Sequence, residues 1–309
     1  MNVKIFNITH KTCRLFDSSC VKTINAGRSV LLKKSKDGIL SSADVDWMLK
    51  NTLSDAEGDN ISNLNRFYNE MTVIYWVWKN YEKIGNPDAV GFMHYRRHFI
   101  LNDSLKFTGN YDEDIGLTES ILSSVLSSYD LVHPKFLSNQ KKIIDDIGEG
   151  LCSLGGDTVK KAIQIVLDLI KERNHEEYEK VFDVLNSFNT GSLCNMFIMK
   201  KSLFFDYCNW IFPLLFGLDK DLGRNYKTGE ERTVGWIAEI LTSIYIFIKS
   251  KEVSHKQVSV FEKSEIKELP LYKKMLYPIL LNFESSSRKQ RHIEKLTISY
   301  LVSKYGVLN

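Results

Sequence analysis

The chain has 309 residues, enough for two modest domains or one large one, and carries 41 Lys and Arg against 38 Asp and Glu, a formal net charge of +3. That near-balance lacks the basic excess of a nucleic-acid binder, so no nucleic acid is expected as a partner. With 43% hydrophobic and 26% charged residues, the composition excludes a disordered chain, collagen, a coiled coil and a short disulfide-stapled scaffold.

Val3 to Ile8 alternates as a buried first strand ending at Thr9-His10-Lys11. Residues 25–63 are mostly loop, with a short helix near Ser42 to Leu49. Residues 66–83 carry Phe67, Met71, Ile74, Tyr75 and Trp78 at helical spacing and stop at Gly85-Asn86-Pro87. Ala89 to Met93 is an interior strand that opens into His94-Tyr95-Arg96-Arg97-His98-Phe99. A helix over 118–127 and a strand over 129–134 follow. Residues 157–173 form an amphipathic helix begun by Gly155-Gly156-Asp157. Leu193 to Met199 is a strand, Ser202 caps a helix to about Leu218 that bends near Pro213, and Glu230 to Ile248 is a further helix. Strand–helix alternation followed by helices predicts an α/β core with a helical C-terminal part.

The five cysteines (Cys13, Cys20, Cys152, Cys194 and Cys208) include no C-x-x-C pair and read as reduced thiols. The N-terminus has no signal-peptide pattern, and the longest apolar run, Ile237 to Ile248, is too short to span a bilayer. A cytoplasmic location is the expectation.

Two regions could carry chemistry. The polar stretch Gly58 to Asn65 feeds a helix N-terminus, whose free N–H groups suit an anion as well as an ordinary polar cap. The cluster His94 to His98 sits at the end of an apolar strand, where open α/β sheets bind ligands. Arginine forks match phosphate oxygens, so a diphosphate is the natural ligand; the alternative is that one arginine pairs with Asp130 or Glu70.

The order Asn60-Ile61-Ser62, Asn65, Glu70-Met71-Thr72, Tyr75-Trp76-Val77-Trp78-Lys79-Asn80 and Gly91-Phe92-Met93-His94-Tyr95-Arg96-Arg97 resembles a bacterial family of capsular-polysaccharide and O-antigen glycosyltransferases, first catalogued as a domain of unknown function. Val3 to Phe6 with His10-Lys11, Asn195 to Lys200 and Gly235 to Glu239 add to the resemblance, which covers about residues 3–250 in family order. Met71, His98 and Ile240 depart from the family pattern, where Leu, Tyr and Arg are usual.

The resemblance implies a GT-A-like Rossmann-type nucleotide-sugar core over residues 1–250, with residues 251–309 as a helical C-terminal extension. It implies transfer of a sugar, galactose or galactofuranose among the options, from a UDP-linked donor to a surface-polysaccharide or glycoconjugate acceptor, lipid-linked or protein-linked. His10 and Lys11 would line the nucleotide site, with Asn60, Asn65 and Glu70 near the donor. His94, Tyr95, Arg96 and Arg97 would stand where GT-A enzymes carry the D-x-D that holds a metal. Arginines can neutralise a diphosphate directly, so no metal ligand is assigned; Mn²⁺ or Mg²⁺ stays open as a cofactor.

Asp44-Val45-Asp46, Asp112-Glu113-Asp114 and Asp219-Lys220-Asp221 read as solvated acidic surface rather than metal sites. Glu239 leaves the apolar stripe of its helix, so it faces solvent or a cavity, and it is the candidate base for an acceptor hydroxyl; Asp157 and Glu70 are alternatives. Glu239 could instead pair with Arg232, and Arg232 could bind phosphate. Asn195, a polar break in an apolar strand, is a candidate donor- or acceptor-site residue. Trp76 packs elsewhere or touches an acceptor sugar. The basic amphipathic tail (residues 288–302, with Ile293, Leu296, Tyr300 and Leu301) suits peripheral contact with an anionic leaflet, or a last core helix. The competing functional reading is a non-catalytic nucleotide- or carbohydrate-binding subunit of a glycan-assembly complex.

Overall fold

The computed structural model describes residues 1–34, 38–104, 106–138, 152–187, 190–191, 195–224, 230–262, 270–280 and 286–305. In chain order its elements are β1 (Val3–Thr9), β2 (Val21–Asn25), α1 (Ser42–Asn51), β3 (Leu53–Ser54), α2 (Asn65–Tyr68), α3 (Met71–Lys79), β4 (Ala89–His94), β5 (Arg97–Ile100), α4 (Tyr111–Ile115), α5 (Glu119–Ser128), β6 (Leu131–Pro134) and β7 (Leu137–Ser138). They continue with α6 (Cys152–Arg173), α7 (His175–Ser187), β8 (Thr190–Gly191), β9 (Phe197–Lys200), α8 (Lys201–Leu222), α9 (Thr233–Lys249), β10 (His255–Glu262), α10 (Leu271–Leu280) and α11 (Ser286–Tyr305).

The architecture is mixed α/β. One sheet runs β3-β2-β1-β4-β5-β10-β6-β9, and β9 also pairs with β4, so the last five strands close on themselves. The half β3-β2-β1-β4 is wholly parallel. Its chain runs outward from β1 to β3, then returns to the other side of β1 as β4, placing a topological switch point between β1 and β4. Flanked on both sides, β1 buries six of its seven residues, the polar Asn7 and Thr9 among them.

One core packs α3 and α6–α9 on a face of the sheet, through residues such as Phe92, Phe197, Tyr207 and Phe212. A second core, with Phe99, Leu122, Phe261 and Leu301, fills the other face under α4, α5 and α11. Phe212 stacks on Trp78 and meets Tyr75 edge-on, so the Tyr75–Trp78 stripe serves the core.

Several expectations are amended. The helix over 66–83 is two pieces, because Asn69 takes a left-handed φ of 50° between α2 and α3. Gly155, Gly156 and Asp157 lie inside α6 rather than at its start. Residues 255–262, assigned to a helical extension, form β10, bonded between β5 and β6 within the sheet. In α11, Leu296 and Leu301 are buried, Tyr300 stacks on Phe107 and Tyr305 donates to Asp114. The apolar side of the tail is therefore spent in the second core and cannot also lie on a leaflet. Among the described residues no helix is long and apolar enough to cross a membrane. Cys13, Cys20 and Cys208 are free thiols; Cys194 lies outside the described residues.

Candidate functional site

The carboxyl ends of the parallel strands bring together Thr9–Lys11, Asn25–Arg28, Asp55 and the reversal after β4. That reversal is a two-residue turn, Tyr95-Arg96, with His94 of β4 paired opposite Arg97 of β5. The Tyr95 N–H donates to the Ile8 carbonyl at 3.0 Å, fastening the turn to the end of β1.

Four of the expected donor-site residues converge on the ring of a fifth, Tyr95. The His94 ring lies 4.4 Å away and the His10 ring meets it edge-on at 5.3 Å. The Arg96 guanidinium is 5.3 Å and the Lys11 ammonium 5.8 Å from its centre, within cation–π range. Tyr95 is buried, and its hydroxyl has no hydrogen-bond partner. His94 Nδ1 accepts from the Arg96 N–H at 3.2 Å, which assigns the ring proton to Nε2. Burial, then Arg96 and Arg97, push the His94 pKa down to about 2. The cluster thus offers cations from Lys11, Arg96 and Arg97 beside a neutral imidazole donor.

Glu70 stands beside this cluster at the start of α3. Burial raises its pKa, while Asn195, Arg232 and Arg97 counteract the shift. Asn195 Nδ2 donates to Glu70 at 2.9 Å; Asn195 Oδ1 accepts from Thr242 at 2.7 Å, and Thr242 meets the Tyr207 hydroxyl at 2.7 Å. Asn195 itself holds φ at 48°. Arg232 Nε donates to Asn69 Oδ1 at 2.9 Å, leaving the buried Asn69 Nδ2 without a partner. Non-glycine residues at positive φ are uncommon and gather at functional sites. Two of them bracket Glu70 here.

Helix α9 contributes Arg232 at its N-terminus and then Gly235, Glu239 and Thr242 at spacings of three and four, which puts them on one face. Gly235 packs under the Asn69 amide, where a Cβ would overlap it. Since Thr242 reaches Asn195, Glu239 lies half-buried between the two contact points, on the side turned to the Glu70 cluster. The opposite stripe, including Ile237, Leu241 and Ile244, joins the first core.

The polar stretch before α3 is scaffold. Asn60 donates to the carbonyls of Ala56 and Gly58 and accepts from the Ser62 N–H. Asn65 donates to the Asn69 carbonyl at 2.7 Å, and Gly27, at φ 73°, lets it come within 2.6 Å of where a Cβ would stand. The centre of this arrangement is Asp55, which belongs to none of the motifs named above. Fully buried, it accepts from the Gly27 and Arg28 N–H groups at 2.8 and 2.9 Å, from Ser62 Oγ at 2.5 Å and from Thr72 Oγ1 at 2.7 Å. It ties the loop after β2 to the first turn of α3. The signal available was an acid that opens the run Asp55-Ala56-Glu57-Gly58-Asp59 directly after a very short strand, Leu53-Ser54.

Other candidates fall away from the site. His98 points into the second core, bonded to Tyr111 at 2.7 Å. Asp130 pairs with Lys200, not with an arginine of the turn. Asp157 is exposed on α6. Trp76 is buried and donates to the Glu57 carbonyl. The D-x-D triplets are not simple acidic surface: Asp112, Asp114 and Asp219 are buried, bonded to Ser18, to Thr108 and Tyr305, and to Arg224 and Tyr68. Asp44 is bonded to the N-cap Ser41 of α1. Among the described residues no three His, Cys, Asp or Glu side chains form a group that could hold a metal.

A family profile described as a domain of unknown function, DUF4422, matches residues 4–252. No curated protein matches the chain. Among solved structures, the apo form of the WbbM bifunctional glycosyltransferase is similar, at a TM-score of 0.68 and 26% identity, over 88% of this chain and 48% of that one. The chain spans about half the length of that protein.

Proposed function

The chain belongs to the DUF4422 family, and from that premise we propose that it is a glycosyltransferase with a GT-A-like core that moves a sugar from a nucleotide-sugar donor to a glycan acceptor. One observation carries the reading. Lys11, Arg96 and the neutral His94 surround Tyr95 at the switch point of the parallel strands, beside a Glu70 that feels both Arg97 and Arg232. The similarity to a bifunctional glycosyltransferase supports the same class.

Breaking a sugar–diphosphate bond develops negative charge on the leaving diphosphate. Preorganised cations and N–H donors at that position lower the barrier. Lys11, Arg96 and Arg97 would neutralise the diphosphate, and His94 would donate through Nε2 while remaining uncharged. Glu70, held by Asn195, would accept hydrogen bonds from hydroxyls of the transferred sugar. Glu239, on the facing side of α9, would take the proton of the acceptor hydroxyl in an inverting reaction. His10 would pack against the nucleotide, with Asn60 and Asn65 shaping the loop beneath it. The donor we favour is UDP-linked, carrying galactose or galactofuranose. The acceptor would be a lipid-linked or protein-linked surface glycan.

The test is release of UDP from UDP-galactose and UDP-galactofuranose, with Mn²⁺, with Mg²⁺ and with EDTA. Slow UDP release that Arg97→Ala and Glu239→Gln both depress is the expected result. Nucleotide binding without turnover of any donor would favour the non-catalytic subunit.

A further inference from the structure

We propose that α10 is an interfacial helix that seats the chain on an anionic membrane surface. The proposal is independent of the reaction assigned above. Leu271, Tyr272, Met275, Leu276 and Ile279 are 74%, 60%, 66%, 49% and 59% exposed, the largest cluster of exposed apolar side chains in sequence among the described residues. At 100° per residue they occupy an arc of about 140° on one side of the helix. Lys273 and Lys274 fall just beyond the two edges of that arc and are only half-buried. A helix packed into a soluble core has the reverse arrangement, apolar side chains inward and lysines fully in water. Here the apolar arc faces out with a lysine at each border, the geometry in which ammonium groups snorkel to phosphates while the apolar side enters the acyl boundary.

Charge selects the occupant. α10 packs against α11, whose first turns carry the exposed Arg288, Lys289, Arg291 and Lys295. The described residues of 270–295 carry these six Lys and Arg and one acid, Glu294, which is bound to Lys135. A second copy docked through the same patch would set this basic rim against itself, since an isologous interface pairs like with like. An anionic leaflet complements it. At ten residues the helix is too short to span a bilayer, so it would lie in the interface plane.

Flotation of the full chain with vesicles of phosphatidylcholine alone, or mixed with phosphatidylglycerol, tests the assignment. The wild type should float only with phosphatidylglycerol present, and less so as salt rises. Met275→Glu with Ile279→Glu should lower the bound fraction at least about tenfold at an unchanged melting temperature, because both positions are exposed. Hydrogen exchange across 271–280 should slow when vesicles are added. A wild type that stays in the bottom fraction, or a double variant that floats undiminished, overturns the proposal. A concentration-dependent dimer dissolved by the double variant would overturn it in favour of a second copy; an acidic protein partner captured only through α10, without vesicle binding, would overturn it likewise.

Discussion

Asn195 donates its side-chain amide to Glu70 at 2.9 Å, joining segments 125 residues apart. Both sides of this bond rest on strained backbone: Asn195 has φ 48°, and Asn69, directly before Glu70, has φ 50°. Such conformations cost about 1–3 kcal/mol each and persist where the surroundings over-determine them. Here the surroundings are Arg232 and Gly235 beneath Asn69, and Thr242 and Tyr207 behind Asn195.

Glu70 therefore carries a stability cost that function would explain. Its carboxyl is held above the ordinary 4.5 by burial. A raised folded pKa gives a stability contribution that is full below 4.5 and lost as pH rises through the raised value. Glu70→Gln should accordingly be at least as stable as the wild type at neutral pH, while donor turnover falls at least about tenfold. Melting temperature across pH, read beside UDP release, checks both halves.

The acid limb should belong to histidines. His94, His98 and His133 are lowered from 6.5 to about 2, 3 and 4, in each case chiefly by burial. Depressed values place their stabilisation above pH 6.5, and it is lost progressively as pH falls toward those values. Melting temperature should drop from pH 6.5 downward. His98→Phe, between Phe16 and Tyr111, should cost about 1 kcal/mol at neutral pH through the lost Tyr111 bond. It should also make the acid limb shallower.

Asp55→Ala strands four donors that now bond to one buried carboxylate. A loss of about 3 kcal/mol in unfolding free energy is expected, measured as a lower denaturant midpoint at unchanged slope. Asp55→Asn should lose less, since it keeps one acceptor oxygen.

Gly235→Ala is a test of geometry alone. Its Cβ would occupy the place of the Asn69 amide, pushing Asn69 and with it Glu70. Turnover should fall at least about tenfold, or about 1.4 kcal/mol of transition-state stabilisation, with KM for the donor changing less than kcat.

What the chain disclosed by its residues was uneven. β1, β4, β6, α5, α8 and α9 follow from apolar runs and helical spacing, whereas the convergence of His10 and Lys11 with His94, Tyr95 and Arg96 depends on the pairing of β1 with β4, which nothing local in either strand announces. The break at Asn69 was hidden because Phe67 to Trp78 keeps helical spacing across it, and a left-handed residue does not disturb the apolar pattern. β5 was hidden because its first residue, Arg97, belongs to the basic run that reads as loop. Pairing over long separations was equally out of reach. Nothing local in His255 to Glu262 places that strand between β5 and β6, and nothing near Asn60 or Asn65 says that their amides are consumed by backbone carbonyls. Asp55 needed its four donors, drawn from three segments, before its role could be read.

On the proposed function, the Tyr95 cluster holds the diphosphate of a nucleotide-sugar donor. Calorimetric titration of the chain with UDP, in EDTA and in Mn²⁺, tests it most directly, with Arg96→Ala and Arg97→Ala measured alongside. UDP binding should persist in EDTA and be lost in both variants. Near-wild-type affinity in both would contradict it.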